Sequence, residues 1–521
     1  MIRLLSLVLV LCHVPLPAQT REWLVKGAPG PVEAEFVAFA NGHVLLRGGD
    51  GSQVELPLGD FSQKDQAYLR ILTLPAEEKG PFKSPGAPLS SSRDYRREER
   101  TEIKNEILEL KEALHLHLSS ASDPLPGSLV HLAHPDAWLV FTSHGPDHVI
   151  RHFLDRILVR GQAAKSGENV RVLPFGGGRS VVIPHSPAFP ALTLFAEEDL
   201  GGASASFHSY EAYDEEKIGP HSRSAASFLL KRGYMATLAS DPDGTGFSKN
   251  YVAQDHDLRI DKLPAKLRGS VRFIRVFPWR WTEKKGIAGN IGQSLGVSWF
   301  YNWNLDQHSS PDIEYVAIKQ KHGWPSLNQD WRRRGINHLL GFNEPDRPDQ
   351  ANMSVETALR LWPELLGTGL RLGSPATSDG GLGWLYHFME EAGRRGLRVD
   401  FVAVHYYRSV ASPRDDRGAA QQMYNFLKEI HERTGRPLWV TEWNNGANWT
   451  PHPDPDAEEQ LDAIKAMTKM LDEAPFVERY APYNWVEDGR RLVWDDGGLT
   501  PAGKYYRELR APLSYQQPRK P

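Results

Sequence analysis

The feature that most constrains the fold of this chain is an alternation of strand-like and helix-like segments between about residues 286 and 512. Apolar runs there are separated by stretches with helical periodicity. Strands that alternate with helices predict a parallel sheet, and this length fits a (β/α)8 TIM barrel. Seven strands are recognisable, at 297–303, 313–318, 339–342, 370–376, 401–407, 437–443 and 479–485. We expect the eighth strand to lie before Leu339, within 324–337.

Polar side chains collect where these predicted strands end. The residues concerned are Asn343, Glu344, His405, Tyr407, Glu442 and Trp485. A (β/α)8 barrel carries its active site at the C-terminal ends of its strands. Glu344 and Glu442 are 98 residues apart, which corresponds to three βα units. The spacing therefore predicts that they follow the fourth and seventh strands and face each other across the barrel mouth.

Two carboxyl groups in such a position suit cleavage of a glycosidic bond. One protonates the leaving oxygen and must stay protonated near neutral pH, while the other attacks the anomeric carbon and must stay ionised. Retention of configuration requires the two groups to be about 5–5.5 Å apart. Each glutamate also has a structural alternative. Glu344, beside Pro345, could be a helix N-terminal carboxylate, and Glu442 could be a surface charge at a strand end.

Six strings in this region together resemble glycoside hydrolase family 128. They are SWFYNW, LLGFNEPD, RLGSPA, DFVAVHYY, PLWVTEW and ERYAPYNW, and they cover roughly residues 286–512. The resemblance implies an endo-acting, retaining enzyme on β-1,3-glucan. By position it makes Glu344 the acid/base and Glu442 the nucleophile, with Asn343 on the sugar 2-hydroxyl. It also implies that His405 and Tyr407 order the nucleophile and that Trp485 forms the floor of a sugar subsite.

Further aromatic residues are candidates for stacking on sugar rings, namely Trp299, Tyr301, Trp324 and Trp443. Trp299, Tyr301 and Trp303 alternate along one strand and so share a face, where core packing is the alternative role for one or two of them. Trp324, Trp443 and Trp449 are predicted in loops or at strand ends, where stacking is favoured. We expect these residues, with Asn343, His405, Tyr407 and Trp485, to form the substrate site.

The region before the barrel is predicted to consist of all-β modules. Residues 20–72 contain alternating strands around a Gly-rich turn and resemble the SLA-homology, SH3-like domain, which implies a binding or tethering role. Residues 73–125 are interpreted as a linker followed by a helix over 98–118, with His115 and His117 as a solvated pair. Residues 126–186 are predicted as a small β-rich region.

Residues 187–280 contain an internal near-repeat. The segments 191–207 and 234–251 match each other, and each is followed by a strand-like stretch. The layout resembles the paired Greek-key motifs of βγ-crystallins, which implies a β-sandwich. The acidic or amide pair that binds calcium in that family is missing from 223–227 and 267–270. We therefore expect no calcium site, and no metal or cofactor elsewhere in the chain.

Composition and the N-terminus limit the remaining function classes. The 521 residues carry 61 basic and 65 acidic side chains, which speaks against nucleic-acid binding. Residues 1–18 are predicted to be a signal peptide that contains the only cysteine. We therefore expect an exported, monomeric protein without disulfides or membrane insertion. Two alternatives remain open: a related glycosidase acting on xylan or mannan, and a non-catalytic polysaccharide-binding envelope protein.

Overall fold

The computed structural model describes residues 20–40, 42–62, 65–66, 69, 96–186 and 189–516. The predicted signal peptide and the predicted linker up to residue 95 lie outside these ranges. In the described part of the chain, no helix is both long and apolar enough to cross a membrane.

The C-terminal region is a closed barrel of eight parallel strands, one of which is interrupted. The strands are β22 Ile287–Ala288, β23 Trp299–Tyr301, β24 Glu314–Tyr315 with its continuation β25 Ala317–Ile318, β26 His338–Leu340, β27 Arg371–Leu372, β28 Val402–Tyr406, β29 Leu438–Trp443 and β30 Val477–Pro482. Parallel bridges join β22 to β30, through Ala288 and Tyr483, and complete the ring. The barrel prediction is confirmed by this topology.

The position that we predicted for the eighth strand is wrong. Residues 324–337 form a loop and a single helical turn, Trp331–Arg334, which Asp330 caps and Gly335 ends in a left-handed conformation. The eighth strand is β22, the first in the barrel. It consists of two residues, Ile287 and Ala288, and is too short to show a strand pattern in the sequence.

Helices cover most of the barrel. They are Gly292–Leu295, Trp331–Arg334, Val355–Leu366, Leu382–Arg394, Asp416–Thr434, Ala457–Glu473 and Pro501–Glu508. Their ends follow from local sequence: the Ser354 hydroxyl accepts from the backbone N–H of Thr357, and Asp456 and Glu459 form a capping box. Residues 302–313, between β23 and β24, form a loop, and Asp312 of this loop accepts a hydrogen bond from the backbone N–H of Asp147 at 3.1 Å.

Aromatic side chains and ion pairs fill the lower barrel. Trp439 stacks on Phe401 with ring centroids 4.1 Å apart. At the N-terminal ends of the strands, Glu314 pairs with Arg479 at 2.8 Å, and Arg371 with Glu478 at 2.6 Å. All four charged groups are buried, and their pairing offsets the cost of removing each charge from water.

Residues 20–62 form a four-stranded antiparallel meander. Its strands are β1 Thr20–Trp23, β2 Val32–Ala40, β3 His43–Gly48 and β4 Gln53–Pro57, paired in chain order. The turn between β3 and β4 contains Gly51, whose φ of +81° a side chain would disfavour. Trp23, Val44, Leu46 and Phe61 form the small core. This arrangement agrees with the predicted SH3-like module.

The helix predicted over 98–118 is wrong, because this segment forms three strands. They are β5 Arg96–Arg100, β6 Ile107–Leu110 and β7 Leu114–Leu118. Leu114, Leu116 and Leu118 alternate with histidines, which is a strand period that the neighbouring leucines obscured. His115 and His117 are consequently buried, and the solvated pair that we predicted is wrong as well.

These strands join the next region in one two-sheet unit over 96–186. The added strands are β8 Leu129–Leu132, β9 Trp138–Phe141, β10 Ile157–Val159, β11 Gln162–Ala163, β12 Val170–Pro174 and β13 Ser180–Pro184. From β5 to β10, successive strands alternate between the two sheets, and each pairs in parallel with the strand two places earlier in the chain. Strands β5, β7 and β9 are therefore neighbours in one sheet, and β6, β8 and β10 in the other. A helix, Pro146–His152, covers one side.

Residues 189–280 form a sandwich of two four-stranded sheets. The strands are β14 Leu192–Phe195, β15 Ser204–Phe207, β16 Ala212–Tyr213, β17 Ser227–Leu230, β18 Tyr234–Ala239, β19 Ser248–Ala253, β20 Leu258–Ile260 and β21 Phe273–Pro278, with short helices Glu215–Ile218 and His221–Ser224. The sheet orders are β15-β14-β17-β20 and β16-β21-β18-β19. The third strand of each four-strand motif thus crosses into the other sheet.

The 96–186 unit, the sandwich and the barrel share one apolar core. Trp138, Met235, Trp279 and Trp281 belong to the same buried cluster as barrel residues such as Leu339. Polar contacts reinforce the joint, since Lys231 lies 3.0 Å from Asp136 and 2.7 Å from Asp257. The chain end after the last helix, 512–516, also crosses to the sandwich.

Candidate active site

The two predicted glutamates lie at the C-terminal end of the barrel, as the spacing predicted. Glu442 is part of β29, and Glu344 follows β26. Glu344 has a φ of +41°, a left-handed conformation that residues with a Cβ rarely adopt. Its N–H donates to the Ala376 carbonyl at 2.7 Å, and Asn343 pairs with Ala376 as an isolated bridge. Non-glycine residues in this conformation cluster at functional sites, because surrounding contacts must hold them there.

The Glu442 carboxylate accepts hydrogen bonds on both oxygens. Oε1 accepts from the Tyr301 hydroxyl at 3.0 Å and from the Trp303 indole N–H at 2.7 Å. Oε2 accepts from the Tyr407 hydroxyl at 2.7 Å. Donors that are directed at a carboxylate stabilise its charged form, so this arrangement suits an ionised group.

The tyrosine donors keep their protons at neutral pH. Burial, followed by the charge of Glu442, raises the pKa of Tyr301 and of Tyr407 well above the usual range. Burial and the charges of Glu442 and Glu344 also raise the pKa of Tyr483. Tyr301 and Tyr407 therefore remain hydrogen-bond donors to Glu442 over the whole range in which a glycosidase works.

His405 lies between the two glutamates. Its Nδ1 is 2.9 Å from Oε1 of Glu344 and 3.5 Å from Oε2 of Glu442. Burial lowers the pKa of His405, but the charges of Glu442 and Glu344 outweigh burial and leave that pKa above its usual value. The imidazole thus links the two carboxyl groups. It lies nearer to Glu344 than to Glu442, although the family resemblance implied that it orders Glu442.

The contacting atoms of Glu344, His405 and Glu442 lie within 4.8 Å of one another. This spacing brings the two carboxyl groups close to the separation that retaining glycosidases use. One metal ion could also span three such atoms. However, His405 Nε2 is buried without a hydrogen-bond partner among the described residues, whereas a metal-bound histidine normally donates from its other ring nitrogen. The group therefore fits proton transfer better than metal binding.

Asn343 is held beside Glu344 with one polar atom unused. Its Nδ2 donates to Gln350 Oε1 at 3.3 Å, and its backbone N–H donates to the Gln320 carbonyl at 2.9 Å. Its Oδ1 is buried and has no partner among the described residues. A buried acceptor without a partner is costly. Asn343 is thus suited to accept a hydrogen bond from a ligand.

Two of the predicted substrate-binding tryptophans belong to the core, and for these the prediction is wrong. Trp299 is fully buried near Trp439, and its indole donates to the Lys284 carbonyl at 3.0 Å. Trp443 is also fully buried and contacts Tyr480. Neighbouring residues on a strand point to opposite faces, so Trp443 points away from the mouth when Glu442 points into it.

Trp324 and Trp485 are the predicted aromatic residues that are exposed. Trp485 is 41% exposed and follows β30, with its ring 6.2 Å from that of Trp303. Trp324 is 48% exposed in the loop after β25. Both side chains offer an exposed ring surface. Among the described residues, aromatic contacts link Trp485, but not Trp324, to the side chains around Glu442.

Three further aromatic residues also line this end of the barrel. Trp303 contacts Glu442 directly, Tyr483 lies 5.7 Å from the Trp303 ring, and Trp449 lies 5.2 Å from the Tyr407 ring. Trp303 continues the alternation of Trp299 and Tyr301, which was the signal that could have identified it. Trp449 lies in the loop after β29, in keeping with its predicted position in a loop or at a strand end.

Two family models match the chain. Residues 278–506 match the model described as "Glycosyl hydrolase catalytic core", and residues 13–75 match SLA1 homology domain 1. The second match confirms the resemblance of the N-terminal module. The first covers all eight barrel strands and both glutamates.

Known proteins are similar to the same region. The Alkali-sensitive linkage protein 1 of Schizosaccharomyces pombe is 30% identical over 249 residues, which are 43% of this chain and 44% of that protein. The chain thus matches less than half the length of this curated relative.

Solved structures include an endo-β-1,3-glucanase of glycoside hydrolase family 128 from Amycolatopsis mediterranei, 34% identical, with 43% of this chain and 98% of that chain covered at a TM-score of 0.39. Another is an exo-β-1,3-glucanase of that family from Blastomyces gilchristii, 32% identical, with coverages of 43% and 98% and a TM-score of 0.36. The match to the glycosyl hydrolase model supports a glycosidase activity for residues 278–506 of this chain.

Proposed function

We propose that this protein is an exported endo-β-1,3-glucanase that acts with retention of configuration. Glu344 is the acid/base and Glu442 the nucleophile. The observation that carries the proposal is the pair of buried carboxyl groups at the barrel mouth. His405 links them, and one oxygen of each carboxyl group lies within 4.8 Å of the other. The choice of β-1,3-glucan follows the resemblance of the six sequence strings to glycoside hydrolase family 128.

In the first step, an oxygen of Glu442 attacks the anomeric carbon while Glu344 gives its proton to the leaving glucosyl oxygen. The C–O bond to the leaving chain breaks, and a glycosyl ester of Glu442 forms. Three donors hold Glu442 ready for attack, from Tyr301, Trp303 and Tyr407. Asn343, whose Oδ1 has no partner among the described residues, accepts from the sugar 2-hydroxyl.

In the second step, Glu344 removes a proton from water, and the water oxygen attacks the same carbon. The ester bond breaks, Glu442 returns as a carboxylate, and Glu344 is again protonated. The two inversions give net retention. Trp485 and Trp324 provide exposed rings on which glucosyl units stack.

For the remaining modules we propose supporting roles. The exchange of third strands between the two sheets of 189–280 supports the βγ-crystallin-like interpretation. Glu198, in the first motif, pairs with Lys262 at 2.9 Å and with Arg268 at 2.7 Å. The carboxylate of this acidic loop is therefore already paired with positively charged side chains of the same chain. Export rests on the predicted signal peptide, and the SH3-like module is assigned to tethering.

The proposal is tested with a panel of laminarin, curdlan, xylan, mannan and cellulose. We expect reducing ends from laminarin and curdlan only, with oligosaccharides as early products. Glu344→Gln and Glu442→Gln should each lower kcat by at least about 1,000-fold, because each removes a group that the chemistry requires. The matched control is Glu356→Gln, at an exposed glutamate on the outer helix Val355–Leu366, which should leave kcat unchanged.

Near-wild-type activity in either active-site variant would remove that glutamate from the proposal. Proton NMR of the first-formed product reports the stereochemistry separately. We expect the β-anomer before mutarotation, and an α-anomer would exclude double displacement.

A further inference from the structure

We propose that Trp303 is a positioning residue that holds Oε1 of Glu442, so that Oε2 is the oxygen that attacks the sugar. This inference rests on the proposed function and adds a role that the sequence resemblance does not assign. The indole Nε1–H donates to Oε1 at 2.7 Å, the shortest of the distances from donors to that oxygen.

The donors to Glu442 are distributed unevenly. Oε1 accepts from both Tyr301 and Trp303, whereas Oε2 accepts from Tyr407 and has His405 at 3.5 Å. A carboxylate oxygen has two lone pairs in its plane, and both are engaged on Oε1. Oε2 accepts one hydrogen bond, from Tyr407, and therefore retains a lone pair for the anomeric carbon.

The same bonds have a use after the attack. Once Oε2 is bonded to the sugar, Oε1 is the ester carbonyl oxygen and still accepts from Trp303 and Tyr301. When water displaces Glu442, the electron pair of the breaking bond returns to the carboxylate, and these donors stabilise the charge that forms. The indole N–H thus acts on both half-reactions without exchanging a proton.

The backbone and the ring fix the indole in this orientation. Trp303 follows β23 at a φ of +58°, which a residue with a Cβ rarely adopts. Its ring contacts Tyr301, Tyr483 and Trp485, at centroid distances of 5.4, 5.7 and 6.2 Å. Trp303 is therefore held between the carboxylate and the exposed aromatic side of the mouth, where little rotation is available.

The test compares Trp303→Phe with Trp299→Phe. Both variants remove an indole N–H from the same strand, but Trp299 donates to the Lys284 carbonyl and does not contact Glu442. For Trp303→Phe we expect kcat/KM on laminarihexaose to fall about 10- to 100-fold, as for loss of a hydrogen bond to a charged group. The fall should lie in kcat more than in KM.

The pH profile separates positioning from general damage. A carboxylate that has lost a donor takes up a proton more readily, so the acid limb of kcat/KM should move to higher pH in Trp303→Phe. Trp299→Phe should lower the thermal midpoint and leave the acid limb in place. An unchanged acid limb in Trp303→Phe, or an equal shift in Trp299→Phe, would overturn the assignment.

A second measurement does not depend on turnover. In protein labelled with 15N-tryptophan, the Nε1–H signal of Trp303 is identified by its loss in Trp303→Phe. We expect this signal to shift when Glu442 is changed to Gln, while the Trp299 signal stays in place. An unmoved Trp303 signal would overturn the inference even if the enzyme proves to be a glucanase. A shifted signal in a protein that is inactive on every glucan would instead overturn the proposed function and leave the contact between Trp303 and Glu442 in place.

Discussion

At the scale of single residues, the two neighbours Glu442 and Trp443 show how strand geometry divides function from packing. Glu442 points into the barrel mouth, where Tyr301, Trp303 and Tyr407 hold it, whereas Trp443 is buried on the other side of β29 against Tyr480. Successive residues on a strand face opposite ways. One of two adjacent residues can therefore line the mouth, and a tryptophan directly after a residue that lines the mouth belongs to the core.

This difference gives opposite expectations for two tryptophan substitutions. Trp443→Ala should destabilise the fold by about 3–5 kcal/mol, because it removes a large buried side chain. Trp485→Ala should leave the thermal midpoint nearly unchanged and raise KM about fivefold, through the loss of about 1 kcal/mol of apolar contact with the sugar. Thermal melts and initial rates on laminarihexaose measure both quantities. A raised KM with full stability in Trp443→Ala would restore it to the substrate site.

At the scale of elements, the position of His115 and His117 in strand β7 buries both side chains. His115 and His117 lie in the strand between buried leucines, and the His115 ring stacks on Trp138 at 4.6 Å. Burial, followed by the charge of Arg232, holds the pKa of His115 far below its usual value. Burial, followed by the charge of Arg97, lowers the pKa of His117 to about 4. Both side chains are therefore neutral in the folded protein at pH 6.

These shifts predict a loss of stability in weak acid. The histidines of the unfolded chain take up protons as the pH falls through about 6.5, whereas those of the folded chain stay neutral. The free energy of unfolding therefore decreases as the pH falls from about 6.5 to about 4. Urea midpoints should therefore be lower at pH 5 than at pH 7. The double variant His115→Gln, His117→Gln should show a smaller decrease than the wild type.

The control for this measurement is His148→Gln, at an exposed histidine on the helix Pro146–His152. It should keep the wild-type difference between the two pH values. An equal decrease in the double variant and in the wild type would show that the β7 histidines do not cause the acid sensitivity.

At the scale of the whole molecule, the barrel, the sandwich and the 96–186 unit form one packed body in the described residues. Trp281 lies 5.3 Å from Trp138, the Tyr210 hydroxyl donates to Asn337, and Thr237 donates to the Gly369 carbonyl. At the chain end, Tyr515 contacts Trp279, and its carbonyl accepts from Gln254. Apolar interfaces of this kind remove the independence of neighbouring domains. The barrel can therefore be the catalytic unit without being an independent folding unit.

Two truncations test this view. A chain that starts at residue 284 should lack a cooperative unfolding transition, because it exposes the apolar surface that Trp279, Trp281 and Met235 cover. A chain that starts at residue 96 keeps the shared core and should unfold cooperatively, with kcat on laminarihexaose within about threefold of the full-length value. Calorimetry and initial rates decide both points. A barrel from residue 284 that folds and turns over normally would show that the joint is dispensable.

The sequence by itself determined the barrel, the strand ends that carry Asn343, Glu344, His405, Tyr407 and Glu442, and the SH3-like module. These features depend on local periodicity and on fixed residue types, which a linear pattern records. The tertiary structure decided what no local pattern contains. It placed β22, which is two residues long. It made strands of 98–118, where the local pattern predicted a helix, through pairing with one another and with β8 and β9. It also joined three modules in one core. It also separated the tryptophans: Trp299 and Trp443 are buried, while Trp303 reaches Glu442, because depth along the barrel axis and the facing of neighbouring strands are set only when the sheet closes.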